Sequence, residues 1–86
     1  MYFVYLLECK DKTIYTGITT DIDRRLEEHK KGIGARYTRG HKAGSIVYIE
    51  RKRNRSTASK REAEIKSWTR ARKLILINRR VLRKVA

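Results

Sequence analysis

The sequence predicts an α+β fold: a small three-stranded antiparallel sheet flanked by three helices, in the order β-β-α-β-α-α. Three observations carry that expectation. Two short runs rich in β-branched and aromatic residues, Tyr2–Leu7 and Thr13–Gly17, are separated by a polar turn, the pattern of a hairpin. A capped amphipathic segment follows at once, and then a third apolar run, Ser45–Glu50, leads into two helical patterns. With 86 residues the chain has room for one domain, whose core is thin because so short a chain buries only about 60–65% of its unfolded surface.

Tyr2–Leu7 is apolar at every position, which suits a strand covered on both faces and places it in the centre of the sheet. Glu8–Lys12 is polar and serves as the turn; a five-residue turn there sets Tyr5 directly opposite Tyr15, on one face of the hairpin. Thr20 or Asp21 caps the first helix, with acid in its first turn where the dipole favours it, and the helix runs to about Lys31 and stops at Gly32. Ile22, Leu26 and His29 form its inward stripe, with Arg25 beside them. Residues 32–40 carry three glycines and read as a basic loop. The second helix is expected from Ser56 to about Trp68 and the third from Arg70 to Asn78, leaving residues 79–86 as a basic extension of a domain spanning 1–78.

Composition narrows the function. Net charge is +14 and unevenly spread: residues 1–29 sum to −2 and residues 30–86 to +16. Such self-repulsion calls for a polyanionic partner, and nucleic acid is the first candidate. Lys31, Arg36, Arg39 and Lys42 are the expected phosphate path, with Arg51, Lys52 and Arg53 as a second patch. No segment is long and apolar enough to span a membrane, and no signal sequence is visible. The single cysteine, Cys9, permits no intramolecular disulfide, which fits an intracellular, cytoplasmic setting.

The chemistry-bearing residues cluster by pattern. Tyr5 and Tyr15 lie on paired strands, Gly17 leaves room for close approach of another backbone, and Arg25 and His29 sit one turn apart on the helix that follows. An arginine on the apolar side of a helix needs an anionic partner, and a bound phosphate is one. On the second helix Glu62 falls on the inward stripe with Ala58, Ile65 and Thr69, whereas Glu64 points nearly the other way. Phenol, guanidinium, imidazole and one carboxylate are the groups a phosphodiester-cutting site requires.

These elements together resemble the GIY-YIG nucleases. The runs that carry the resemblance are Phe3-Val4-Tyr5 and Tyr15-Thr16-Gly17, then Arg24-Arg25-Leu26 with His29, then Ala35-Arg36-Tyr37-Thr38, then Arg61-Glu62 with Ile65-Lys66. The match is closest to the small stand-alone proteins of that family. It implies a Mg²⁺ (or Mn²⁺) dependent endonuclease acting on DNA, in repair or recombination, with Glu62 as metal ligand and Arg25 on the scissile phosphate. Tyr5, Tyr15 and His29 are implied in water activation, and the residues do not choose among them. Many relatives add a separate binding domain, so substrate choice falls to this domain or to a protein partner. The alternative is a nucleic-acid-binding module of the same fold that cuts slowly or not at all.

Overall fold

A computed structural model describes residues 1–85, with side chains through Arg79. The order is β1 (Tyr2–Cys9), β2 (Ile14–Thr19), α1 (Ile22–Lys30), α2 (Arg36–His41), β3 (Ala43–Lys52), α3 (Arg55–Lys66) and α4 (Arg70–Val85). The three strands are antiparallel in the order β2-β1-β3, so the apolar β1 is central as its composition requires, and Val4 to Leu7 are all buried. A short fourth helix, α2, stands where the glycines read as a loop. Its residues are ordered by tertiary contacts, with Thr38 buried beneath it and Tyr37 packed on Tyr15. Among the described residues no helix is long and apolar enough to cross a membrane.

The sheet separates two cores. Val4, Leu6 and Ile14 pack with Ala58 and Ile65 of α3 and with Leu76 and Ile77 of α4. On the opposite face Tyr5 and Leu7 pack with Tyr15, with Ile46 and Ile49 of β3, and with Ile22 and Leu26 of α1. The alternation of side chains along β1 thus assigns one set of residues to each helix pair. A bulge between Leu6 and Leu7 adds Val47 on β3 and keeps both faces filled.

The hairpin register differs from the expected one by two residues. Tyr5 lies opposite Gly17, and Tyr15 opposite Leu7. The loop is tighter than expected: the Cys9 N–H donates to the Thr13 carbonyl, Lys12 adopts φ 73°, and Asp11 accepts from the Thr13 N–H and hydroxyl. An even shift preserves the faces, so both tyrosines still point the same way.

Asp21 caps α1, its carboxylate accepting from the Arg24 N–H at 3.0 Å. The far end closes as a Schellman turn: Ile33 N–H donates to the Glu28 carbonyl, Gly32 N–H to His29, and Gly32 takes φ 77°. β3 extends past the expected segment at both ends and absorbs Arg51 and Lys52. α3 stops at Lys66, two residues before Trp68, which leaves Thr69 outside the helix and exposed rather than on the inward stripe. At that corner Trp68 lies between the Arg61 and Arg72 guanidiniums, 5.1 and 4.4 Å from its ring. α4 continues beyond Asn78, and most of the expected extension, 79–86, lies outside the residues whose side chains are described.

Candidate active site

Tyr5, Tyr15, Arg25 and His29 meet on the α1 face of the sheet. Tyr5 enters from the central strand, and its phenol lies over Gly17, its cross-strand partner. A Cβ at Gly17 would stand 2.6 Å from the Tyr5 hydroxyl oxygen and 2.9 Å from the Tyr15 ring. The space that glycine opens is therefore filled by the two tyrosines, not by another backbone as the sequence suggested. The ring centroids of Tyr5 and Tyr15 are 6.2 Å apart, and both rings meet the His29 imidazole edge-on at 5.9 and 5.3 Å.

His29 is the hinge of this cluster, and it is buried to 1% exposure. Its Nε2 is 2.7 Å from the Tyr5 hydroxyl and its Nδ1 is 2.6 Å from Thr38 Oγ1. The Thr38 hydroxyl has one proton, and it donates to the Ala35 carbonyl at 2.9 Å. Thr38 oxygen is then the acceptor from Nδ1–H, so the network assigns Nε2 as the nitrogen that accepts from Tyr5. The Ala35 N–H, 3.4 Å from Nδ1, is too distant to reverse that assignment. Gly34 closes the ring from outside: a Cβ there would stand 2.4 Å from Nδ1.

Electrostatics fix both protonation states near neutrality. Burial pushes the Tyr5 phenol up to about 12; the hydrogen bond and charge of Arg25 offset this in part, while Tyr15 and Glu62 add to it. Burial, helped by the Arg25 charge, lowers His29 below its ordinary value. The pair at pH 7 is thus a neutral phenol donating to a neutral imidazole.

The remaining expected residues are placed as follows. Arg25 is half-buried and already has an anion, Glu28, at 2.9 Å. Glu62 comes from α3, on the opposite face of the sheet, with a side chain 21% exposed against 55% for Glu64. It pairs with Lys66 at 3.3 Å and its charge reaches Tyr5. Lys31, Arg39 and Lys42 gather beside His29, whereas Arg36 is exposed on α2 and does not join them. Arg51 and Arg53 are exposed near the start of β1, at the other end of the sheet, and Lys52 is engaged with Glu50 at 3.3 Å.

Sequence reasoning assigned no role to Thr38, Gly34 or the second histidine. Thr38 lay within a quoted run, but a threonine gains its meaning only from the imidazole beneath it. Tyr37 stacks on His41 with centroids 4.1 Å apart and carries the aromatic contact of Tyr15 outward to the surface; His41 in turn is bonded to Asp11.

Comparison with known proteins identifies the family. The model of the GIY-YIG catalytic domain matches residues 1–75. A UPF0213 protein of Haloquadratum walsbyi is 50% identical over 72 residues, covering 84% of this chain and 81% of that protein. One of Natronomonas pharaonis is 49% identical over 76 residues, 88% of this chain and 89% of the relative. The solution NMR structure of a UPF0213 protein of Bacillus halodurans is 42% identical and superposes with a TM-score of 0.58, covering 91% of this chain and 84% of that one. Matched over most of its length, the chain belongs to the GIY-YIG catalytic domain family, a family of nucleases.

Proposed function

We propose that the protein is a Mg²⁺ (or Mn²⁺) dependent endonuclease that hydrolyses phosphodiester bonds in DNA inside the cell. The observation that carries this reading is the buried Tyr5–His29–Thr38 chain beside Arg25. Nε2 of His29 accepts from the Tyr5 hydroxyl at 2.7 Å, so a proton passes to it through that oxygen. The attacking water gives its proton to the Tyr5 oxygen as Tyr5 passes its own proton to Nε2, and the resulting imidazolium keeps its Nδ1–H on Thr38. In this role His29 is the base and Tyr5 the relay, since a phenol at about 12 does not ionise by itself near neutrality. Arg25 takes up the charge developing on the phosphate, and Tyr15, whose hydroxyl has no protein partner among the described residues, orients it.

Glu62 fits the metal assignment. Its carboxylate is engaged only by an exposed lysine, and no group of three or more candidate metal-binding side chains occurs among the described residues. That suits an ion that keeps several waters and shares phosphate oxygens rather than one caged by protein. When bound, it supplies Lewis-acid polarisation of the phosphate and a more acidic water. Because β2 is an edge strand, groups from opposite sheet faces have a common rim at which to converge.

A second reading, a binding module that does not cut, draws on one observation: Arg25 and Glu62 both have partners within the chain. Pairs that keep some contact with water contribute little, on the order of 1 kcal/mol, so phosphate and metal can displace them. The two readings separate in single-turnover cleavage of one DNA substrate at saturating Mg²⁺. Glu62→Gln should abolish cleavage while binding stays intact or tightens, and Glu64→Gln should match wild type. Equal activity of the two variants would defeat the metal assignment, and no cleavage by the wild type on branched, single-stranded and duplex DNA would favour the module.

A further inference from the structure

On the side of His29 away from Tyr5 lies a cavity of about 630 Å³, at the end of the sheet where β1 finishes and β3 begins. Five cations line it: Lys10, Lys30, Lys31, Arg39 and Lys42. No carboxylate does. Elsewhere Arg24, Arg25, Lys52, Arg61 and Lys66 each have a carboxylate partner, yet none of the five around the cavity forms an ion pair among the described residues. Converging cations with no counterion repel one another, and a bound anion relieves that repulsion.

Lys42 adds a second, independent observation. It holds φ at 61°, a backbone region lysine rarely adopts. Hydrogen bonds on both sides lock it there: its N–H donates to the Thr38 carbonyl, and its carbonyl accepts from the Lys10 N–H at 2.9 Å. Both of those partners also line the cavity. Strain held at such a position by surrounding bonds is characteristic of sites that must aim a side chain.

We propose that this cavity is a phosphate-binding pocket that seats a second phosphate of the bound nucleic acid, separate from the one at Arg25. Its volume falls within the roughly 300–1,000 Å³ of pockets that hold a small ligand, so a whole nucleotide fits and not the phosphate alone. Because His29 and Thr38 form part of its wall, a phosphate seated there fixes the strand against the outer side of the imidazole. The identity of the ligand rests on the nuclease reading above, but its binding is measurable without cleavage. The phosphate has two sources: an internal phosphodiester or the phosphomonoester at a strand end.

The test is ¹⁵N-resolved NMR titration at near-physiological salt with inorganic phosphate and with a short oligonucleotide bearing or lacking a 5′-phosphate. Wild type is compared with Lys31→Ala/Lys42→Gly and with Arg55→Ala/Lys60→Ala, which removes the same charge from α3, on the opposite face of the sheet. We expect inorganic phosphate to shift the Gly32, Thr38, Ala43 and Gly44 amides, and the pocket double to lose at least tenfold in affinity against less than threefold for the distal double. Unchanged Val4 and Leu6 amides verify folding of each variant. A 5′-phosphate that tightens wild-type binding and not the pocket double identifies the strand end; equal binding of the two oligonucleotides with the same amide shifts identifies an internal phosphate. Equal losses in both doubles, or no shifts around the cavity, overturn the proposal. Pocket binding without any cleavage would count against the nuclease reading alone, and cleavage without pocket binding against this inference alone.

Discussion

The two faces of the sheet are built from the same central strand and do opposite things with it. Toward α3 and α4, Val4 and Leu6 meet Ile14, Ala58 and Ile65, and the buried Thr16 hydroxyl has no hydrogen-bond partner among the described residues. Toward α1 and α2, Tyr5 and Leu7 share their layer with His29 and Thr38, and every polar atom in that chain is bonded. Burying polar groups in a small core is costly unless each is satisfied. The first face therefore holds the fold, and the second can carry a proton path because the first is apolar enough to sustain it.

Leu6→Ala should cause the largest change. A fully buried leucine truncated in a core costs about 2–5 kcal/mol, and in a domain this small that removes most of the stability, as urea unfolding would show. If Leu6→Ala costs no more than Tyr5→Phe, the division of labour is wrong.

Acid should dismantle the faces in sequence. Burial alone would raise the Glu50 carboxyl, but the hydrogen bonds and charge of Arg61, with Tyr48 and Lys52, win and hold it at about 2 against 4.5 ordinarily. A lowered carboxylate contributes above its unfolded value, so this bridge between β3 and α3 contributes up to about 3 kcal/mol near neutrality, lost as pH falls from 4.5 toward 2. His29 is also lowered, so the unfolded chain takes up its proton first, and that loss begins below 6.5. Urea midpoints measured against pH should show two descents. His29→Asn should erase the upper one and Glu50→Gln should shrink the lower, in which Asp11, held at about 2 chiefly by its Thr13 hydrogen bond, also titrates; a single descent insensitive to both would merge the faces into one unit.

Tyr5→Phe sharpens the comparison on the chemical side. Removing the relay hydroxyl should slow single-turnover cleavage roughly 100-fold, which is about 2.7 kcal/mol of barrier, while costing only about 1–2 kcal/mol of stability for the unpaired Nε2. An unchanged rate would hand the base role to Tyr15 or to a water that bypasses His29. The smallest effect belongs to Thr16→Val, which replaces an unpartnered hydroxyl by a methyl on the apolar face and should stabilise by about 1 kcal/mol in the same urea assay. Destabilisation there would mean that the hydroxyl has a bonded role.

The strands, the first helix and the faces of Tyr5, Tyr15 and His29 were legible because they rest on period and capping, which are local. The register was not: it depends on a loop whose length is set by the Lys12 positive φ and the Asp11 turn, and several polar residues in a row look alike in sequence. α2 was missed for a different reason. Gly32 and Gly34 punctuate the segment, one to end α1 and one to admit the His29 ring, and neither prevents a helix from starting at Arg36. The end of α3 is marked by Ser67, whose N–H and hydroxyl both donate to the Glu64 carbonyl, and by Thr69, which accepts from the Arg72 N–H at the start of α4; serine and threonine at that spacing do not say in sequence which helix they serve. Of the site, residue types and order were readable, whereas the tautomer of His29 and the part played by Thr38 require the fold.

Trp68 is the only tryptophan in the chain. Its indole is held in the corner between α3 and α4 by Arg61 and Arg72, and Arg61 also grips Glu50 of β3. The molecule thus carries a native optical label on the face that lacks the tyrosine–histidine chain. Its emission reports the opening of that corner directly, with no dye attached. A change in tryptophan fluorescence when inorganic phosphate enters the cavity beside His29 would mean that ligation is transmitted through the sheet, from one side of β1 to the other, whereas a divalent ion at Glu62 would act on the indole's own face.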